Sequence, residues 1–190
     1  MPCVMRWPGV IKPGQVINEQ GSLQDFIPAF AAAAGEPNLV EKVKAGYAIA
    51  DKTYKVHLDG FNLLPFLKGE VDKSPRQGFL YWSDDGDLLA VRIHDWKVVF
   101  EEQRHHGMAV WREPFSKLRW PKLFNLRSDP FERGDESLLY DKWMADRLFA
   151  FVPAQVLVGQ WLESFKEFPP RARAASFSVD QVVEKFIPKS

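Results

Sequence analysis

Cysteine is almost absent from this sequence, since Cys3 is the single cysteine among 190 residues. One cysteine excludes an internal disulfide and a cysteine-rich zinc site. No uninterrupted apolar run approaches the roughly 20 residues that a membrane-spanning helix requires. The first residues also lack the charged segment and apolar stretch of a signal peptide. These absences do not assign the protein a location.

Net charge is absent too, because 25 Lys and Arg residues balance 25 Asp and Glu residues. A neutral chain has no overall field that attracts nucleic acid or an anionic membrane, so we expect neither as a partner. Apolar residues make up 46% of the sequence, which is ample for a globular core. Any charged partner must therefore be bound locally.

Recognisable catalytic motifs are missing as well. The sequence contains no Gly-x-Ser-x-Gly nucleophile elbow and no Gly-rich phosphate loop. His105 and His106 are adjacent, so they would point in different directions and are poor metal co-ligands. The run Asp84-Asp85-Gly86-Asp87 lacks the alternating ligands of a calcium loop and predicts a hairpin turn instead. Taken alone, the residues indicate no assembled active site.

The opening stretch, residues 6–14, contains two Pro-Gly turns around Val10 and Ile11. Together with Val4, these β-branched residues predict a short strand. A strand so close to residue 1 has no earlier segment to pair with. We therefore expect the chain to begin within a larger domain.

The next part of the chain predicts mainly helices. Ser22 and Asp25 stand three residues apart, as in a capping pair, at the start of a helix that ends at Gly35. Three further elements are predicted before residue 70: a helix over 39–46, a strand over 54–58 and helical turns over 62–67. The polar residues 70–77 are predicted to form a loop.

From Gly78 onward the apolar period changes from 3.6 to 2, which predicts an antiparallel meander. Its strands are expected over 79–82, 88–94, 96–101 and 122–126. A helix over 138–151 follows, which Pro153 either kinks or separates from a next helix, and an apolar stripe continues to Phe168; a short terminal helix is expected after Ser178. The irregular residues 103–122 are dense in Arg, Lys, Trp and Pro, and we expect them to contact a partner. Interleaved bases and aromatics also suit nucleic acid. A single such loop on a neutral chain favours an acidic small substrate or a neighbouring domain.

Several separated pieces of the sequence together resemble the sulfatase family, and bacterial arylsulfatases most. Residues 6–14 resemble the segment after the family's Glu-Gly-Gly-x-Arg-Val-Pro turn, and 23–35 resemble its Asp-x-x-Pro-Thr helix, with Ala29 in place of Thr. Residues 59–69 are similar to Asp-Gly-x-x-Leu-x-Pro-x-Leu-x-Gly. Arg92 with Trp96-Lys97, and then 122–132, resemble the C-terminal Arg-x-x-x-Trp-Lys and Leu-Tyr-Asn-Leu-x-x-Asp-Pro-x-Glu signatures.

The resemblance implies an α+β chain that is the C-terminal part of an arylsulfatase. Residues 1–58 would be the end of an alkaline-phosphatase-like α/β domain, and residues 59–190 a subdomain made of a four-stranded antiparallel sheet packed with C-terminal helices. For the full enzyme the resemblance implies sulfate ester substrates and a periplasmic or secreted location. The family's N-terminal catalytic domain, or self-association through the exposed strand, is the expected partner.

The resemblance also implies a calcium ion and a formylglycine, but both belong to the region upstream of residue 1. Cys3 does not stand in the required Cys/Ser-x-Pro-x-Arg motif, because Met5 and Trp7 occupy the Pro and Arg positions. Ser128 fails because Glu132 occupies the Arg position. We therefore expect no catalytic residue, metal ligand or cofactor on this chain, and no sulfatase activity from it alone.

The role expected for this chain in the full enzyme is one wall of the substrate cleft. The residues predicted for that wall are Lys55, His57, Asp84, Asp85 and Arg104. A different class of function stays open: a stand-alone interaction module that binds its partner through the exposed apolar N-terminal strand.

Overall fold

The computed structural model describes residues 3–170, so the predicted helix after Ser178 lies outside the described residues. The chain divides into two compact units after Phe79. The division predicted after residue 58 follows the boundary between sulfatase domains, not the compactness of the structure. That domain boundary stays a prediction.

The first unit contains three helices and one small hairpin. Its elements are α1 (Phe26–Ala33), α2 (Leu39–Ala45), β1 (Tyr47–Ile49), β2 (Lys52–Tyr54) and α3 (Leu64–Lys68). A 3-10 turn over Leu23–Asp25 leads into α1, and Gly35 follows the helix with a φ of 96°. Gly69 stops α3 in the left-handed region, where glycine is favoured. The three helices predicted from the sequence are confirmed.

The strand predicted over residues 54–58 is wrong. The chain instead forms the β1–β2 hairpin, in which Tyr47 is opposite Tyr54 and Ile49 is opposite Lys52. Val56 is held differently, because its N–H donates to the carbonyl of Val43 at 2.9 Å. The sequence pattern identified one end of the hairpin but not its partner strand.

The strand predicted near the N-terminus is also wrong. The amides of Val10 and Ile11 both donate to the carbonyl of Trp7, at 3.1 and 2.9 Å, so this stretch is a turn. Gly9 has a φ of 78°, and the neighbouring Pro8 cannot donate to a strand ladder. Two Pro-Gly pairs therefore outweigh the β propensity of the two β-branched residues. Within the described residues the segment is therefore not a strand, and self-association of the chain stays a prediction; Val4 is exposed.

The second unit is built on the predicted four-stranded sheet. Its strands are β3 (Gly78–Trp82), β4 (Leu88–Ile93), β5 (Trp96–Glu102) and β6 (Ser116–Asn125), in the order β3-β4-β5-β6. The strand β6 begins at Ser116 rather than at Lys122. Val99 of β5 pairs with Lys122 of β6, and Glu101 pairs with Lys117. Between these two pairs β6 contains more residues than β5 does, so β6 forms a bulge. This bulge breaks the two-residue alternation and hides the first half of the strand in the sequence.

Helices cover one face of this sheet, as predicted. They are α4 (Tyr140–Ala145) and α5 (Phe151–Glu167), with a 3-10 turn over Leu148–Ala150 between them. The single helix expected over 138–151 is therefore wrong, since the chain breaks after Ala145, while Pro153 lies in the first turn of α5. Leu80, Val91, Val98, Leu123, Tyr140 and Met144 form the core between sheet and helices.

The helical stretch Leu148–Glu167 has the length and the mean hydropathy, 1.2, of a membrane-spanning helix. The stretch is not an uninterrupted apolar run, because polar residues such as Gln155, Gln160 and Glu163 lie within it. Leu157, Val158 and Trp161 of the stretch pack against the core of the sheet. Only 11% of the stretch is buried, so it is not a mostly buried core helix, and one helix of this length and composition is by itself weak evidence for a membrane span.

The hydroxyl of Tyr140 closes the outer edge of β6. It donates to the carbonyl of Leu123 at 2.9 Å and accepts from the amide of Leu123 at 2.8 Å. Leu123 is completely buried, so water cannot satisfy these backbone groups. Burial raises the pKa of Tyr140, and the hydroxyl stays protonated for this double role.

Removing that hydroxyl is expected to destabilise the protein. Tyr140→Phe keeps the ring but leaves a buried N–H and a buried C=O without partners, so the free energy of unfolding should fall by about 1–3 kcal/mol. Urea unfolding followed by far-UV circular dichroism measures the change. Tyr54→Phe removes an exposed hydroxyl and is the control. Equal stability of the two variants would show that the edge contact contributes nothing.

Candidate functional site

A buried carboxylate organises the first unit. Asp25 ends the turn before α1, and its side chain is completely buried. Its two oxygens accept hydrogen bonds from the amide of Ser22 at 2.7 Å and from the amide of Phe61 at 2.8 Å. An ionised carboxylate at this depth requires a cation beside it.

Arg76 is that cation, and only 3% of its surface is exposed. Its Nε donates to one oxygen of Asp25 at 2.7 Å and its Nη2 to the other at 2.6 Å, which is the bidentate geometry of a strong ion pair. The remaining donors reach the carbonyls of Gly78 at 3.0 Å and Asp59 at 2.8 Å. The ring of Phe61 lies 4.9 Å from the guanidinium carbon.

The pair joins segments that are far apart in the sequence. Asp25 comes from the stretch that resembles the Asp-x-x-Pro-Thr helix, while Asp59 and Phe61 come from the Asp-Gly-x-x-Leu motif. Since the carboxylate and the guanidinium are both fully engaged inside the protein, they hold these motifs together rather than bind a ligand.

The role of Arg76 is not visible in the sequence. The polar stretch 70–77 was predicted to be a loop, which is correct for the backbone, but no pattern marked one of its charges as buried. Asp25 was identified only as a helix cap. The family resemblance could have indicated a second role for Asp25. Asp25 lies in the family's Asp-x-x-Pro-Thr motif, and a helix cap alone does not require that motif.

The C-terminal signatures also meet in space, within the second unit. Lys97 of the Trp-Lys motif lies 2.8 Å from both carboxylate oxygens of Glu132, which ends the Asp-Pro-x-Glu motif. The side chain of Asn125 accepts from the amides of Arg127 and Ser128, and the carboxylate of Asp129 accepts from the amides of Arg133 and Gly134. These signature residues shape the connection after β6 and are not free for catalysis.

The predicted wall residues Lys55 and His57 lie in the first unit. Lys55 is exposed just after β2, and His57 is partly buried. The Nδ1 of His57 is 2.9 Å from a carboxylate oxygen of Asp59, so the ring is oriented by the same residue whose carbonyl accepts from Arg76. The two wall candidates are therefore close in the chain to Asp59, a hydrogen-bond partner of Arg76.

The other three wall candidates lie in the second unit. Asp84 and Asp85 are exposed in the β3–β4 turn, as predicted, where the hydroxyl of Ser83 accepts from the amide of Asp85 at 3.2 Å. Arg104 follows β5 and pairs with Glu102 at 2.9 Å. The β3–β4 turn and the end of β5 lie at the same end of the antiparallel sheet, so these three side chains share that end. Their role as a wall stays a prediction.

A charged cluster lies beside Arg104. The amino group of Lys122 contacts carboxylate oxygens of Glu102 at 2.5 Å and of Asp135 at 2.6 Å. Burial opposes the charged forms, but the hydrogen bonds outweigh it, so the pKa of Lys122 is raised and the pKa of Glu102 is lowered. Both shifts favour the charged forms of Lys122 and Glu102, and the amino group of Lys122 bridges Glu102 and Asp135.

The side chains present do not fit the calcium ion that the resemblance implies for the full enzyme. Among residues 3–170, no group of three or more His, Cys, Asp or Glu side chains is placed to hold a metal ion. Cys3, the single cysteine of the sequence, lies exposed in the N-terminal segment.

Comparison with known proteins gives one family of relatives, although no family model matches the chain. Human steryl-sulfatase is 32% identical over 151 residues, which are 70% of this chain and 23% of the relative. Human arylsulfatase D is 30% identical over 149 residues, with the same coverage of 70% and 23%. Mouse steryl-sulfatase is 32% identical over 112 residues, or 59% of this chain and 14% of the relative.

The chain thus spans less than a quarter of the length of these three relatives, and it matches their C-terminal part. All three are mammalian proteins, so the specific likeness to bacterial enzymes stays a prediction. The matches do not favour a stand-alone interaction module, and the N-terminal strand on which that alternative depended does not form.

Proposed function

Since this chain is homologous to the C-terminal part of sulfatases, we propose that it is the C-terminal part of an arylsulfatase, a hydrolase of sulfuric esters. The observation that carries the proposal is the 32% identity with human steryl-sulfatase over 70% of this chain. In this proposal, residues 1–58 end an alkaline-phosphatase-like α/β domain, and residues 59–190 form the subdomain that follows it.

The contacts between the family motifs support the proposal. Asp25 and Arg76 fasten two motif segments in the first unit, and Lys97 and Glu132 fasten two in the second. Motif residues engaged in this way build a scaffold. The proposed contribution of the chain is therefore structural cover and a cleft wall, while the reacting groups come from elsewhere in the enzyme.

The proposed partner is the N-terminal catalytic domain of a sulfatase. Helix α1 favours it, because Ile27 and Phe30 are exposed on its surface and Phe30 stacks on Phe26 with ring centroids 5.5 Å apart. Helix side chains of this kind are normally buried against another element. A larger domain packed on α1 would bury them.

In the proposed wall, charge decides which side chain meets which part of the substrate. Lys55 and Arg104 are each cationic, which suits contact with an anionic group, and the Nδ1 of His57 faces Asp59, so its Nε2 is the ring atom that would contact a substrate group. Asp84 and Asp85 would repel sulfate, so they suit hydroxyl groups on the alcohol part of the ester. The relatives are named for steryl and aryl sulfates, and a sulfated hydrophobic alcohol or phenol is the proposed substrate class.

The chain alone is expected to be inactive. Cleavage of a sulfate ester requires an activated nucleophile and positive charge at the sulfuryl oxygens, and no Cys or Ser in this sequence stands in the motif that becomes formylglycine. Purified chain incubated with an aryl sulfate and calcium should give no turnover above a heat-killed sample. Turnover above that control would contradict the proposal.

A chimera tests the proposed role directly. In it, this chain replaces the matching C-terminal part of an active sulfatase, and aryl sulfate hydrolysis should be retained. Arg104→Ala and His57→Ala in the chimera should raise KM roughly 3–10-fold, because each removes a contact to bound substrate. Arg127→Ala, at an exposed arginine at the other end of the sheet, should leave KM unchanged. Equal KM values for all variants would remove these residues from the wall.

A further inference from the structure

Two protruding parts of the second unit each expose a tryptophan next to an arginine. The first is the 3-10 turn Gly107–Trp111, where Met108 and Trp111 are each 76% exposed and Arg112 follows. The second is the bulge of β6, where Trp120 is 60% exposed beside Arg119. We call residues Met108, Val110, Trp111, Arg112, Lys117, Arg119 and Trp120 the Trp–Arg patch.

The loop that carries the first protrusion has a defined shape. The side-chain amide of Gln103 donates to the carbonyl of Glu113 at 2.8 Å and to that of Val110 at 3.4 Å, which closes the base of the loop. The oxygen of the same amide accepts from the amide of His105 at 3.0 Å. The apolar side chains are therefore held in solvent by a built turn.

The second protrusion follows from the register of the sheet. Because β6 carries extra residues between Lys117 and Lys122, the chain leaves the plane of the ladder there, and a bulge turns side chains outward. Pro121 cannot donate to the ladder, which favours the bulge at this position. Arg119 and Trp120 are exposed as a result.

The charges of the patch are of one sign on a chain that is neutral overall. Residues 107–120 contain three cations, Arg112, Lys117 and Arg119, against one acid, Glu113. Lys117 also pairs with Glu101 of β5 at 3.8 Å, so the two arginines carry the positive charge of the patch. Neither Arg112 nor Arg119 forms an ion pair with any residue of the described range 3–170. Their charge is available to an external anion.

We propose that the Trp–Arg patch binds the surface of an anionic lipid bilayer, with Trp111 and Trp120 at the level of the headgroups. Indole rings favour the membrane interface because they have an apolar body and a polar N–H, and adjacent cations attract anionic headgroups. The aliphatic residues Met108 and Val110 enter the apolar layer, whereas a nucleic acid offers them no matching surface. The patch stands on two protrusions, and a stacking site for single-stranded nucleic acid needs a groove.

This inference stands apart from the proposed sulfatase role, because none of the proposed wall residues belongs to the patch. The expectation from composition was that no membrane partner exists. That expectation rested on the net charge of the whole chain, and a bilayer contacts only a local surface. Attraction of this kind acts within a Debye length of about 8–10 Å, so distant acidic residues do not cancel it.

Co-sedimentation of the full 190-residue chain with sucrose-loaded vesicles tests the inference. Binding is expected to vesicles that contain phosphatidylserine, and to be weaker for phosphatidylcholine alone and at high salt. Arg112→Ala with Arg119→Ala should weaken binding to the anionic vesicles roughly tenfold or more, and Trp111→Ser with Trp120→Ser by a similar factor. Phe131→Ser is the matched control, since Phe131 is 81% exposed but lies outside the patch, and its binding should equal that of the natural sequence.

A second measurement reports insertion itself. Lipids brominated in their acyl chains should quench tryptophan fluorescence of the unaltered chain, and the quenching should be reduced in the variant with Trp111→Phe and Trp120→Phe, which keeps the apolar character. Circular dichroism confirms that each variant is folded. Equal binding to both vesicle types, unchanged binding of the patch variants, or salt-sensitive binding of a single-stranded oligonucleotide without vesicle binding would each overturn the inference.

Discussion

Arg76→Ala is expected to lower the free energy of unfolding by about 3–5 kcal/mol, the largest effect of any single substitution considered for this protein. The substitution leaves the carboxylate of Asp25 buried with no cation beside it. It also removes donors from the carbonyls of Asp59 and Gly78. Urea unfolding measures the loss, and amide hydrogen exchange should show reduced protection at Ser22 and Phe61, whose N–H groups bind Asp25.

Conservative variants separate charge from geometry at this position. Arg76→Lys keeps the positive charge but not the planar fork, so it should restore only part of the stability. Replacing both partners, Asp25→Leu with Arg76→Met, removes the unpaired charge and should be less harmful than either single change. Arg92→Ala changes an arginine on the sheet and serves as the control. If Arg76→Ala and Arg92→Ala lower the free energy of unfolding by the same amount, the buried pair does not organise the first unit.

Gly60→Ala is expected to cost at least about 3 kcal/mol, at the upper end of overpacking effects. A Cβ atom at this position would lie 2.1 Å from the carbonyl oxygen of Gln24 and 2.8 Å from its carbonyl carbon. These are backbone atoms of the turn that holds Asp25, so no side chain can move to relieve the contact. The glycine of the Asp-Gly motif is therefore required by close packing of two chain segments.

The control for this substitution lies in the same unit. A Cβ at Gly21 would meet only a methyl group of Leu63 at 3.6 Å, an ordinary contact, so Gly21→Ala should be close to neutral. Thermal unfolding of the two variants compares them directly. A Gly60→Ala protein that unfolds at the same temperature as Gly21→Ala would show that the backbone at residue 60 shifts without cost.

These two effects also bear on how the sulfatase motifs are to be understood. The motif Asp25-x-x-Pro28 and the motif that begins at Asp59 meet around Arg76 and at Gly60. Each motif supplies groups that have no partner without the other. We therefore expect substitutions in either motif to lower the stability of the protein without changing any reacting group.

Local sequence signals were enough to predict the α+β class and the four strands of the sheet, because alternation and turn residues act within a segment. Gly86 and its neighbours predicted the β3–β4 turn, and the apolar stripe of α5 predicted a helix on the sheet. The resemblance determined the family, because motifs in the right order survive at low identity. The predicted strand at residues 10–11 failed where two local signals conflicted, and the Pro-Gly turns prevailed.

Only the tertiary structure decided which charges are buried and which aromatics are exposed. Arg76 contacts Asp25 across 51 positions of sequence, and Tyr140 contacts Leu123 across 17. Trp120 protrudes because of a register shift against β5. Propensity and periodicity describe each segment in isolation, whereas burial is a property of the segments that meet. For that physical reason the sequence predicted the elements of this fold, and the buried pair and the Trp–Arg patch could be found only once the elements were placed.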